Sequence, residues 1–169
     1  MMSILQKLMQ EISEDNIEST LTEEFLHKYN LWIEDGGATT INGFKKLPKE
    51  EQEFLLDYLN DLSVYERITV NNQNYILVHS LPDNLQNGND LNYQIEEIIF
   101  GRPDFTASWN QEDIYIIGHT PTFKIPGAES GKIYRRNNLI DIDCGCVTGH
   151  ALCAYCIDTG ETFYEPFFV

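Results

Sequence analysis

Basic residues are scarce in this chain. Eleven Lys and Arg face twenty-seven Asp and Glu, for a formal net charge of −16. Such a surface repels nucleic acid and anionic membrane, which excludes both as direct partners. It does not exclude a phosphorylated substrate, because a bound metal and one arginine reverse the field locally. Long apolar runs are also missing. None approaches the length of a membrane span. No signal-peptide pattern is found either, since Met1 to Met9 reads as an amphipathic helix broken by polar residues, and the expected location is the cytoplasm. Cysteine is confined to Cys144, Cys146, Cys153 and Cys156, which in that compartment are reduced thiols. Repeats and low-complexity tracts are absent. What remains is a chain of 169 residues, 42% hydrophobic and 12% aromatic, rich enough to bury the core of one domain over residues 1–169.

Helical patterning fills the first third. Ile4, Leu5, Leu8, Met9 and Ile12 repeat at helical spacing. Thr20 to Glu23 is a capping-box pattern, and Leu21, Phe25, Leu26 and Tyr29 make the face of a helix ending near Trp32. Asp35-Gly36-Gly37 marks a tight turn. The clearest helix is expected over 48–62, with Pro48 and Glu50, Glu51 and Glu53 at its start and Phe54, Leu55, Tyr58, Leu59 and Leu62 as its buried stripe.

Strands dominate the rest. Tyr65–Val70 and Tyr75–Ser80 read as a pair joined by Asn71 to Asn74. A polar loop, 81–90, and a short helix near Tyr93 to Phe100 precede Gly101-Arg102-Pro103. Tyr115–Ile117 is another buried strand. Lys132–Arg136, Leu139–Cys144, Ala151–Ile157 and Thr162–Phe167 read as a β meander. The expected fold is therefore α/β (α+β), layered mixed sheets flanked by helices.

Two strands share one design. Tyr75-Ile76-Leu77-Val78 runs into His79-Ser80, and Tyr115-Ile116-Ile117-Gly118 runs into His119-Thr120. Chemistry in open α/β sheets gathers beyond the carboxyl ends of strands. One histidine there more often hydrogen-bonds a backbone carbonyl than binds a metal. A matched pair favours metal ligands, because neutral imidazole is the commonest ligand and a metal needs donors converging from several strand ends. Gly118 is expected to permit close backbone approach and Pro121 to fix the loop after it. The C-x-C…C-x-x-C spacing also leaves a cysteine zinc module open. Against it, Cys144 and Cys146 would share one face of a strand, while Cys153 and Cys156 would point to opposite faces. Plain core packing is the rival reading.

Five segments in order carry a resemblance. They are Leu31 to Thr40, Ile76-Leu77-Val78-His79, Ile98 to Phe105, Ile117-Gly118-His119-Thr120-Pro121-Thr122, and Ile142 to Leu152. They resemble the W-x-x-N-G-G-x-x-T, V-H-A-G, L-W-x-R-x-x-F, G-H-T-P and I-D-x-G-x-V-x-G-G-x-L segments of the calcineurin-like metallophosphoesterases, in their phosphoprotein (Ser/Thr) phosphatase branch. Ser80 stands where that family has Ala, and His150 where it has Gly.

The resemblance implies a metal-dependent hydrolase acting on phosphate monoesters of proteins or small molecules. It implies that His79 and His119 bind a centre of two divalent ions (manganese, iron or zinc) and that Arg102 holds the substrate phosphate. A surface salt bridge is the rival reading for Arg102. Gly36, Gly37 and Asp143 read as structural, and His27 as a solvated surface residue. Three further family signatures, G-D-x-H-G, G-D-x-x-D-R-G and G-N-H-D/E, do not occur here. They supply the other ligands and the acid that protonates the leaving group, so the chain resembles the C-terminal half of such an enzyme. The expectation is a site completed by a missing N-terminal half or by self-association. The alternative is a non-catalytic remnant that acts by binding.

Overall fold

The structure is a computed structural model, and it describes residues 21–83, 95–107 and 112–167. The expected helix at 4–12 lies outside these residues. The chain divides into two compact units, with the boundary between Leu62 and Ser63.

The described part of the first unit is helical. Helix α1 spans Glu23–Trp32. Thr22 caps it, its hydroxyl accepting from the Phe25 amide at 3.2 Å, and Glu23 and Glu24 sit at the positive end of its dipole. The cap therefore falls two residues after Thr20, where the sequence pattern begins. Phe25 is buried and Tyr29 half-buried, but Leu26 is exposed. The turn expected at Asp35-Gly36-Gly37 occurs: Gly36 adopts φ 91°, which glycine accepts without strain. The chain then re-enters a helix that the sequence pattern did not reveal, α2, Ala38–Phe44.

Helix α3 spans Lys49–Asp61, close to the expected bounds. Its buried stripe is not the expected one. Phe54 is 74% exposed and Tyr58 and Leu62 are also exposed, while Leu56 is buried with Phe44, and Leu55, Leu59 and Trp32 pack around them. The side chain of Gln52 donates to the carbonyls of Phe44 and Leu47 at 3.1 and 3.0 Å. Gln52 thus ties the first turns of α3 to the Phe44–Leu47 turn, whose Phe44 carbonyl also accepts from the Leu47 amide at 3.1 Å.

The second unit is built on a mixed sheet. Strands β1 (Tyr65–Val70) and β2 (Gln73–Val78) form an antiparallel hairpin. Asn71 and Asn72 turn it with φ 50° and 66°, the signature of a two-residue type I′ turn. Helix α4 (Ile95–Phe100) leads back to β3 (Asp113–Ile117), which lies parallel to β2. A second hairpin, β4 (Tyr134–Arg136) and β5 (Leu139–Asp141), docks β5 parallel to β3. The order is β1-β2-β3-β5-β4, so among the described residues β1 and β4 are the edges.

Strands β6 (Ala151–Tyr155) and β7 (Thr162–Pro166) make a separate antiparallel pair. The C-terminal third is thus two hairpins rather than a meander, because β5 pairs with β3 and β4 while β6 pairs with β7 in a separate sheet. Both faces of the main sheet are covered. On one, Ile76, Val78, Tyr115, Ile117 and Leu139 pack with Leu81 and Ile98 of α4. On the other, Tyr75, Ile116 and Ile140 meet Tyr155 and Ile157 from the β6 end. Burying each such aliphatic or aromatic side chain contributes about 1.5–3 kcal/mol, and this double coverage is why β2 and β3 read as continuous apolar runs. The fold is a mixed α+β class, as expected.

Candidate functional site

Three parallel strands, β2, β3 and β5, end at the same edge of the sheet. The first exits into His79, the second into Gly118-His119, and the third into Ile142-Asp143. Strand exit alone brings together residues forty positions apart. His79 Nε2 and His119 Nδ1 are 3.1 Å apart, with ring centroids at 4.8 Å and planes tilted by 58°.

That spacing is a test of metal fit. Two nitrogens bound at about 2.0–2.1 Å to one ion, at right or tetrahedral angles, stand roughly 3 Å apart. The pair therefore fits two neighbouring positions on one divalent ion. The same distance serves as an N–H···N hydrogen bond when one ring carries the shared proton. His79 is exposed and His119 half-buried, so the nitrogens are within reach of solvent ions.

The backbone is bent to make this happen. His119 has φ 69°, a left-handed conformation uncommon for a residue with a side chain, and such strain clusters at functional sites. The freedom expected of Gly118 is not what the site uses. A Cβ at Gly118 would meet the Cβ of Asp143 at 3.8 Å and the His79 carbonyl oxygen at 4.0 Å, both ordinary contacts. Its amide instead donates to the His79 carbonyl at 3.0 Å and ties the two strand exits together. Pro121 opens a short helical turn, Thr122–Lys124, that closes the His119 loop.

Arg102 arrives from α4. The hydroxyl of buried Ser80 donates to the Gly101 carbonyl at 2.6 Å, and the Arg102 amide donates to Asp83 Oδ1 at 2.6 Å. Gly101 is a close-approach glycine, since a Cβ there would collide with the carbonyls of Leu81 and Glu97. Serine after His79 and glycine before Arg102 are thus the residues that press the arginine segment onto the β2 exit. Their roles were not singled out in the sequence, where they show only as one small hydroxyl residue and one glycine. Among the described residues no carboxylate forms an ion pair with the Arg102 side chain.

The local field is positive although the chain is strongly acidic. Burial lowers the pKa of His119 below the ordinary imidazole value, and the nearby His79, Arg102 and Lys124 lower it further, against an opposing pull from Asp143. His119 is therefore neutral at pH 7, the form a metal requires. The positive side chains of Arg102 and Lys124 that add to the effect of burial also favour an anion beside it.

Behind this edge lies a second cluster. Asp141 is 0% exposed, and burial pushes its carboxyl up to about 8, with the Asp143 charge adding to the effect. Burial likewise pushes the Cys144 thiol up to about 12, with a hydrogen bond to Cys153 contributing. Cys153 Sγ donates to the Ile142 carbonyl at 2.8 Å. The expected alternation of Cys144 and Cys146 on one strand face does not occur, because β5 ends at Asp141 and Cys146 opens a helical turn, Cys146–Thr148. Cys153 lies in β6 and Cys156 beyond its end. All four thiols are free. Among the described residues no group of three or more His, Cys, Asp or Glu side chains is arranged to hold a metal. His150 stacks on Phe123 at 4.5 Å and His27 is exposed on α1.

Neither a protein-family model nor a curated protein sequence matches this chain.

Proposed function

We propose that this chain carries part of a metallophosphoesterase site, in which His79 and His119 hold a divalent ion and Arg102 engages the phosphate of a phosphorylated protein or small phosphomonoester. The observation that carries the reading is the 3.1 Å approach of two imidazole nitrogens from adjacent parallel strand exits. A divalent ion bound there supplies Lewis acidity and a water of lowered pKa. The chain's own residues do the rest. His119, kept neutral by burial and by neighbouring cations, offers Nδ1, and His79 offers Nε2. The Arg102 guanidinium has the planar fork that matches phosphate oxygens, and its backbone is anchored by Asp83 while its side chain is left without an ion pair among the described residues. Further ligands, from a separate polypeptide or a second copy, would complete a two-ion centre.

A second reading is a non-catalytic domain that binds a ligand through the same edge. One observation favours it: the described residues hold no group of three or more metal-ligating side chains, whereas catalytic zinc sites use three protein ligands. Manganese and zinc titrations of the full chain, followed by turnover of a generic phosphomonoester, separate the two. Turnover that is lost in His119→Ala supports the enzyme. Metal binding without turnover supports the binding domain, and no metal binding overturns the site.

A further inference from the structure

We infer that Asp141 is a positioning residue for the His79–His119 pair: its buried carboxyl holds the Asp143 loop, and that loop holds the segment carrying His119. The inference rests on reading the histidine pair as the functional site.

The links are short and consecutive. Asp141 Oδ1 accepts the Asp143 amide at 2.9 Å. Asp143 Oδ1 in turn accepts the Gly145 amide at 3.0 Å, so two successive aspartates pin the backbone after β5. The Asp143 carbonyl accepts the Thr122 amide at 2.8 Å, which fastens the far end of the loop that begins at His119. At its near end, the Ile142 amide donates to the Ile117 carbonyl at 2.9 Å, and Gly118 donates to His79. The segment Gly118–Thr122 is thus clamped on one side by β2 and on the other by the Asp141–Asp143 loop. The Thr120 amide donates to the Gly118 carbonyl at 2.8 Å, which closes a tight turn about His119, and the two clamps fix where that turn sits.

The setting of Asp141 is unusual for a merely structural acceptor. It is wholly buried, opposite Ile117 on β3 and Tyr134 on β4. The ionisable groups around it are Asp143 and Cys144 in its own loop, Tyr134 across the pair, and Cys153 on β6. Its second oxygen, Oδ2, is buried with no hydrogen-bond partner among the described residues, as are Thr120 Oγ1 and Thr122 Oγ1 in the loop it braces. With its carboxyl held near 8, Asp141 is a neutral acid at pH 7 that accepts from the Asp143 amide without placing a second negative charge beside Asp143.

The test compares Asp141→Asn, which keeps a neutral acceptor, with Asp141→Leu, which keeps the branching at Cγ and removes the acceptor. The readout is the imidazole NMR spectrum of the metal-free full chain. In Asp141→Leu the His119 resonances shift, while Asp141→Asn retains the wild-type spectrum. An unmoved His119 in Asp141→Leu overturns the inference, as does an equal change in both variants. If Asp141→Leu does not fold, the wild type is titrated through about 8, where Asp141 ionises. The Asp143 amide and the His119 ring then move together, and the step vanishes in Asp141→Asn. Movement of the amide alone overturns the inference. None of these readouts uses metal or turnover, so failure of the proposed function would show separately, as a wild-type chain that binds no metal.

Discussion

The histidine pair and the aspartate–cysteine cluster stand on the same stretch of sheet edge and behave oppositely. The histidines come from sequence positions forty apart, and their rings meet at 3.1 Å with nitrogens open to solvent. The four cysteines fall within thirteen residues, and the described structure does not gather them into a ligand group. Crowding in sequence is therefore no guide to convergence in space. Parallel strand exits are, because register alone places their first loop residues side by side. Solvent access then divides the roles. Burial makes Cys144 and Asp141 neutral and inert toward ions, while partial burial keeps His119 neutral and available.

The comparison can be broken or sharpened by substitution. His119→Ala has the largest expected effect: affinity for manganese or zinc, measured by calorimetry, falls by at least about 100-fold, since loss of even a supporting partner costs 10–100-fold. Arg102→Ala is next. It raises the inhibition constant of inorganic phosphate, or KM for a phosphomonoester, by about 10–100-fold, the equivalent of one or two charge-assisted hydrogen bonds. Metal affinity stays unchanged in that variant. A drop in metal affinity would mean Arg102 shapes the histidine pair rather than the anion.

Gly101→Ala should destabilise by about 1–3 kcal/mol, as overpacking does, and lower the Tm accordingly. An unchanged Tm would show that the Leu81 and Glu97 carbonyls give way easily.

For Asp141→Asn the sign follows from linkage. The wild-type carboxyl has its pKa raised from 3.8 to about 8 by folding. Between those values the folded chain holds a proton that the unfolded chain has released, so wild-type stability falls as pH rises through that window. The asparagine variant lacks this slope. Its stability relative to wild type grows by up to about 1.4 kcal/mol per pH unit in that window and is constant above it, as read from urea midpoints at stepped pH. A pH-independent difference would mean Asp141 ionises normally.

His119 acts with the opposite sign: its lowered pKa costs stability as pH falls below the ordinary 6.5. The smallest effect is expected at the cysteines. Cys146→Ser, at a half-buried position, changes stability by within about 0.5 kcal/mol and leaves metal stoichiometry intact.

Much of this molecule was legible in its residues. Both histidine-ended strands, the Asn71-Asn72 hairpin, the Gly36 turn and the α3 bounds all appear close to where periodicity and turn chemistry put them. Two kinds of feature were not. The rotation of α3 shows in Leu56 being buried against Phe44 of α2, a helix the sequence pattern did not reveal. The docking of β5 against β3 is non-local, so the run Lys132–Phe167 looks like a meander until Ile140 is seen beside Ile116. At the site, Ser80 and Gly101 act through backbone carbonyls, and a single hydroxyl or glycine carries no pattern. Asp141 was hidden for another reason: an aspartate at the end of a strand usually faces water, and only burial makes it a neutral acid.

The most direct test of the histidine site is addition of substoichiometric manganese to the full chain, followed by NMR of the imidazole resonances. Paramagnetic broadening should strike His79 and His119 first and together, ahead of His27 and His150, and the one remaining ring of the pair should escape it in His79→Ala and in His119→Ala alike. Broadening that spares both rings, or that touches only one of them, would contradict a shared metal site at the ends of β2 and β3.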